Sequence, residues 1–232
     1  MKILIFFFLL LLILAEFDRN FIIQPSIKNY YITNFPHRIV FGINNTLNKL
    51  LTKKYIFDIS VIEFNNFLYI NRKNLINSFY SYKRNNIPLE IKASNTSAML
   101  ENDDRYKYIL FKNYKKEINY KNLKYFPIIK ILLKKYKSIK TCFFSIMDHK
   151  KIIPYHRGPN SGYLRYHFPL IVNPYSCYLE IMGNKKYNHN PILFDDTYPH
   201  KLVKIDNTLR VVLICDVENP YSLFYPHKLF FD

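Results

Sequence analysis

From residue 141 onward the chain is a succession of six short apolar runs: TCFFSIM (141–147), YLRYHFPLIV (163–172), CYLEIM (177–182), PILFDD (191–196), HKLVKI (200–205) and LRVVLICDV (209–217). Turns containing Gly, Pro or Asn separate them. Short β-rich runs at regular spacing build a sandwich or a double-sheet jelly roll. The expected fold is therefore mainly β, with a double-stranded β-helix (jelly roll) core, flanking helices and an N-terminal membrane segment. One flanking helix is expected at 72–84. A second opens at Pro127, with Ile128, Ile131, Leu132 and Leu133 inward and the lysines outward. Residues 20–70 read as short strands and loops broken at Pro25 and Pro36, with few helical periodicities.

The N-terminus carries a different signal. Met1-Lys2 precedes thirteen apolar residues, Ile3 to Ala15. As a helix this run spans ~20 Å, against a hydrocarbon core of ~30 Å. The charged start and the length fit a secretory signal. Phe17 extends the run, and no small-x-small cleavage pattern ends it, which favours an uncleaved signal-anchor. Either way the rest of the chain is expected in the secretory lumen or outside the cell, as a single-pass membrane protein or, alternatively, a secreted one. Sequons at Asn44-Asn45-Thr46 and Asn95-Thr96-Ser97 agree with this. The chain divides into 1–17 (signal or anchor), 18–70 (an extension of unknown role) and 71–232 (the β-rich domain).

Composition removes several classes. Hydrophobic residues make up 49% and aromatics 18%, which excludes a disordered chain. Three cysteines exclude a disulfide scaffold. Cys142, Cys177 and Cys215 lie in or beside apolar runs, where a thiol acts as a small hydrophobe. The net charge of +17 comes from 34 Lys and Arg against 17 Asp and Glu. The cations are spread along the chain, mostly Lys, and no nucleic-acid motif accompanies them. An A/T-rich codon bias explains them without a partner, and a nucleic-acid partner is not expected.

Six of the seven histidines fall at 149 or later. His156 lies in Pro154-Tyr155-His156-Arg157-Gly158-Pro159, His167 in Leu164-Arg165-Tyr166-His167, and His200 after Phe194-Asp195-Asp196-Thr197-Tyr198-Pro199. Arg210 interrupts an apolar strand, and a buried guanidinium needs an anion. Two His with one carboxylate hold the metal of non-haem Fe(II) oxygenases. Here Gly158 stands where an H-x-D/E triad has its carboxylate. On these residues alone a second reading stays open: His156 and His200 as loop histidines, and Arg210 as a structural ion pair with Asp216 or Glu180.

The ordered set goes further. Phe144-Ser145-Ile146-Met147, Pro154-x-His156-x-Gly158-Pro159-Asn160, Leu164-Arg165-x-His167, Phe194-Asp195-Asp196-x-x-x-His200 and Arg210-Val211-Val212-Leu213-Ile214-x-Asp216-Val217-x-x-Pro220 resemble the aspartyl/asparaginyl β-hydroxylase family of Fe(II)/2-oxoglutarate-dependent dioxygenases. A fainter similarity reaches back to about residue 70. The resemblance implies His156 and His200 as iron ligands without a protein carboxylate, so Gly158 is an expected residue. It implies Arg210 and Ser145 on the distal carboxylate of 2-oxoglutarate, Arg165 and His167 on the end nearer the metal, and Asp196 as an acid beside the ligands. It implies hydroxylation with O2 and release of succinate and CO2. The substrate would be the β-carbon of Asp or Asn in a protein or peptide, with a lipid acyl chain as the alternative.

The surroundings depart from the family's pattern. Asp148-His149-Lys150 replaces a Pro-Gly turn, Val203 replaces an aromatic, and Glu180 and Glu218 replace an Arg and an aromatic. His149, His189 and His227 match no role and are expected at the surface. The competing class is a non-catalytic jelly-roll module that binds anions through a basic face.

Overall fold

The structure, a computed structural model, describes residues 6, 9–15, 17, 37–85 and 106–222. Pro25, Pro36, the sequon at Asn95 and His227 lie outside these residues. Among the described residues ten strands form two antiparallel sheets: β1 (Ile56–Phe57), β2 (Lys107–Lys112), β3 (Ile139–Met147), β4 (Lys151–His156), β5 (Tyr163–Ile171), β6 (Cys177–Ile181), β7 (Asn184–Tyr187), β8 (Ile192–Phe194), β9 (His200–Lys204) and β10 (Arg210–Glu218). One sheet has the order β1-β8-β5-β10-β3-β2, the other β4-β9-β6-β7. From β3 to β10 the chain passes back and forth between the sheets, which is the winding of a jelly roll.

The period-two alternation of a strand gives the larger sheet two unlike faces. Cys142, Phe144 and Ile146 of β3, Leu164, Tyr166 and Phe168 of β5, and Val211, Leu213 and Cys215 of β10 all enter one apolar cluster on its outer face. Helices α2 (Asn65–Ile70), α3 (Arg72–Arg84), α4 (Tyr120–Leu123) and α5 (Pro127–Lys135) cover that face through Leu68, Leu75, Phe79, Leu123, Phe126, Ile129 and Leu132. The opposite face turns toward the smaller sheet. A second cluster lies there, with Met147, Ile192 and Phe194 against Cys177, Leu179, Ile181 and Leu202. The polar residues Ser145, Arg165, His167, Arg210 and Asp216 belong to this inner face. The three cysteines are buried free thiols, packed as small hydrophobes.

The helices at 72–84 and from Pro127 stand where the sequence puts them. The phase of the second differs. Ile129, Leu132 and Leu133 are buried, while Ile131 is 49% exposed. The i, i+3, i+4 stripe begins one residue later than expected, because position 129 faces the sheet. All six apolar runs contain strands. The two further strands of the smaller sheet, β4 and β7, are its edges. Pro154 is tolerated in β4 for that reason, since an edge strand leaves N–H positions unbonded. β7 is exposed throughout and carries no apolar signal.

The reading of 20–70 as strands and loops is corrected by a helix, α1 (His37–Thr52). Its buried face includes Asn44, Asn45, Asn48 and Lys49, each 5% exposed or less. Val40, Ile43, Leu47, Leu50 and Leu51 do form an apolar stripe at helical spacing, but Leu50 and Leu51 on it are exposed, and much of what the helix buries is polar. Asn44 is fully buried, so the first sequon is not a surface acceptor. Residues 37–70 also share the main core through Phe57, Ile62, Phe64 and Leu68, and β1 joins the larger sheet.

Residues 9–15 of the apolar N-terminal run are helical. Thr46 Oγ1 donates to the carbonyl of Leu14 at 2.6 Å. Ala15 is buried against Gly42, where any Cβ would collide with the Ala15 backbone. Among the described residues no helix is long and apolar enough to cross a membrane.

Candidate active site

His156 ends β4 and His200 opens β9. The two strands pair with a bulge between Ile153 and His156, which brings His156 into register with His200. The imidazole centroids are 4.2 Å apart. Each ring is fixed in the same way. His156 Nδ1 bonds the carbonyl of Pro154 and His200 Nδ1 that of Tyr198, both at 2.8 Å. A backbone carbonyl only accepts, so both Nδ1 atoms carry the proton and both Nε2 atoms keep a lone pair. Burial pushes the His156 imidazolium down to about 4, aided by the charge of Arg165. Burial and His156 lower His200 well below the usual imidazole range. Both rings are neutral donors at physiological pH.

Asp196 stands beside this pair. Its carboxylate fills the space over Gly158 so closely that a Cβ at 158 would collide with it. The Gly158 N–H donates to the Asp196 carbonyl at 2.7 Å. The chain thus places a carboxylate two residues past His156 in space, though not in sequence. Burial raises Asp196 to about 7, against the opposing pull of Arg165. Arg165 binds it through Nη1 at 2.9 Å. Arg165 also pairs with its cross-strand neighbour Asp216, Nε to Oδ1 at 2.8 Å and Nη2 to Oδ2 at 3.0 Å. Burial pushes Asp216 upward, but Arg165 and hydrogen bonds from Tyr114 and Thr141 outweigh it and hold the carboxyl below its usual range.

His167 follows two residues after Arg165 on the same inner face. It is 4% exposed, and neither ring nitrogen has a hydrogen-bond partner. Burial, then Arg210 and Arg165, lower its imidazolium well below the usual range. Arg210, at the start of β10, is 1% exposed. Its Nη1 donates to Ser145 Oγ at 3.0 Å, and its Nε and Nη2 both donate to Asn188 Oδ1, the former at 3.1 Å. Both partners are neutral. The ion pair with Asp216 or Glu180 that the sequence left open does not form: Asp216 is held by Arg165, and Glu180 by Lys201 at 3.1 Å and by Tyr155. Among the described residues no carboxylate neutralises Arg210.

These observations test whether iron and a keto acid fit. Two neutral imidazoles present free lone pairs side by side, a set that suits Fe(II). Among the described residues no group of three or more His, Cys, Asp or Glu is placed to hold an ion. A buried cation without an anion and an imidazole without partners, on the same sheet face, fit an acidic ligand. The residues suit both groups.

The structure therefore brings together all seven sequence-predicted residues: Ser145, His156, Arg165, His167, Asp196, His200 and Arg210. It adds some the sequence missed. Asn188, Tyr114 and Thr141 have no motif around them. Helix α1 also bears on the loops that follow His156 and precede His200. Asn45 accepts from the Ser161 N–H at 2.8 Å and donates to the Pro159 carbonyl at 3.1 Å. Lys49 and Arg157 both donate to the Thr197 carbonyl. Of the remaining histidines, His149 is exposed beside Asp148, as expected, whereas His189 packs against Tyr175 and buries its Nδ1.

A protein-family model described as aspartyl/asparaginyl beta-hydroxylase matches residues 79–220. The ornithine lipid ester-linked acyl 2-hydroxylase of Rhizobium tropici is 34% identical over 103 residues, 43% of this chain and 37% of that protein. The match thus spans little more than a third of that relative's length. Among solved structures, a 2OG-Fe(II) oxygenase-family oxidoreductase from Burkholderia pseudomallei aligns with TM-score 0.38 and 12% identity over 50% of this chain and 69% of its own. KdgF from Halomonas sp. aligns with TM-score 0.33 and 7% identity over 50% and 82%. Likeness at that level says nothing about chemistry.

Proposed function

The chain belongs to the aspartyl/asparaginyl β-hydroxylase family, and from that premise we propose that it is an Fe(II)- and 2-oxoglutarate-dependent dioxygenase. The observation that carries this reading is a pair of imidazoles side by side on the smaller sheet, each with an Nε2 lone pair, and a buried arginine without an anion on the inner face of the larger sheet.

In this reading His156 and His200 hold Fe(II) through Nε2, and their Nδ1 bonds to carbonyls fix the rings and keep them neutral. Arg210 and Ser145 bind the distal carboxylate of 2-oxoglutarate. His167, with two unpartnered nitrogens, and Arg165 hold the end nearer the metal. Bound iron with 2-oxoglutarate and O2 supplies hydroxylation of an unactivated C–H bond, with succinate and CO2 as co-products. Asp196 is a buried acid that holds or releases a proton close to neutral pH, and Arg165 keeps its carboxyl in place.

The substrate in this reading is the β-carbon of Asp or Asn in a protein or peptide. The Rhizobium tropici relative favours a second, a lipid acyl chain. The apolar residues 3–15 anchor the enzyme at a membrane, with the domain lumenal or extracellular. The test is succinate release from the purified full chain. It should require both Fe(II) and 2-oxoglutarate and should vanish in His156→Ala and in His200→Ala. Peptide and lipid pools searched for mass gains of one oxygen atom, with His200→Ala as the blank, identify the substrate class. Turnover that survives both substitutions rejects the site. Salt-sensitive association with anions and no turnover would point to a binding module.

A further inference from the structure

We propose that Asn188 is a binding residue for the distal carboxylate of the keto-acid cosubstrate, and that it keys the site to dicarboxylates. The proposal rests on the dioxygenase reading. Asn188 lies in the turn between β7 and β8 and is fully buried. Its own N–H donates to the Cys177 carbonyl at 2.9 Å, which ties it to the smaller sheet. Its amide must present oxygen to Arg210, because a guanidinium only donates. Oδ1 accordingly takes Nε and Nη2 along one edge of that cation.

Two consequences follow. Asn188 and Ser145 together take three of the five guanidinium N–H groups, and one hydrogen remains on each of Nη1 and Nη2. Those two hydrogens are free to donate to a carboxylate. The Asn188 Nδ2 is also buried with no acceptor. A buried amide N–H without a partner is costly, and an incoming carboxylate oxygen would relieve it. An aspartate at this position would neutralise Arg210 permanently. An asparagine orients the cation and leaves its charge for the ligand.

The test is calorimetric titration of the full chain loaded with Mn(II) in place of iron, so that binding is read without turnover. The probes are 2-oxoglutarate, glutarate (both carboxylates, no keto group) and 2-oxobutyrate (keto acid, no distal carboxylate). Asn188→Asp should weaken 2-oxoglutarate and glutarate about a hundredfold, because it gives Arg210 an internal anion. Asn188→Ala should weaken them about tenfold. Neither should change 2-oxobutyrate. Circular dichroism checks folding, and if Asn188→Asp does not fold, Asn188→Ala decides. Variants that bind glutarate like the wild type overturn the role of Asn188 and leave the dioxygenase reading intact. A wild type that binds neither dicarboxylate overturns that reading and this inference with it.

Discussion

Arg165 and Arg210 stand on the same face of the same sheet, on the adjacent strands β5 and β10, and they live in opposite electrostatic worlds. Arg165 is matched twice, by Asp196 and Asp216, and Tyr114 completes its shell. Arg210 is more deeply buried and, among the described residues, its hydrogen bonds go to Ser145 and Asn188 alone. An uncompensated cation in a low-dielectric interior is expensive, and a fold keeps one only where something outside the chain brings the anion. In the dioxygenase reading the first arginine comes to the ligand already held in place by its two carboxylates, and the second waits for the ligand to bring its anion. The two look alike in sequence, each a cation among strand residues.

This contrast can be broken by mutation. Arg165→Met should strand Asp196 and Asp216 in the interior and cost about 3 kcal/mol of unfolding free energy, read by urea denaturation. A variant as stable as the wild type would mean that the pairing is idle. Arg210→Met should do the reverse. It should leave the stability of the ligand-free protein unchanged or raise it, while the 2-oxoglutarate requirement rises about a hundredfold, or about 2.7 kcal/mol. Destabilisation as large as that of Arg165→Met would show that Arg210 is structural after all.

Acid sharpens the same comparison with a smaller effect. His156, His167 and His200 are held neutral by burial, so the unfolded chain binds more protons than the folded one below the ordinary imidazole range. Asp196, raised to about 7, works the other way over the same window, but one carboxyl opposes three imidazoles. The stability of the metal-free protein should therefore be full above about pH 6.5 and fall as the pH drops toward 4. Urea midpoints measured across that range check this.

How far the fold could be read depended on where polarity was buried. The six apolar runs announced their strands, and Leu75 and Phe79 announced α3, because apolar burial writes its period into the sequence. Helix α1 wrote its period in Val40, Ile43, Leu47, Leu50 and Leu51 but misled about its faces, since Asn44, Asn45, Asn48 and Lys49 are the buried side and resemble a solvated surface. β7 was silent, as an exposed edge of NKKY. The site residues were legible only as an ordered set. No local pattern distinguishes His156 or His200 from the histidines around them, and Asn188 sits in no motif.

Alternation of side chains along each strand, the absence of a carboxylate two after His156, and the presence of an arginine in an apolar run were all fixed by the order of residues alone. Which anion each arginine meets was not. Asp216 pairs with Arg165 because β5 and β10 are in register there, and Asp196 takes the space over Gly158 because two distant loops close on each other. The reason is physical: an apolar side chain needs only to leave water, a requirement that is local and repeats along the chain, whereas a buried charge needs one particular partner within hydrogen-bond reach, and only the assembled sheets decide which residue that is.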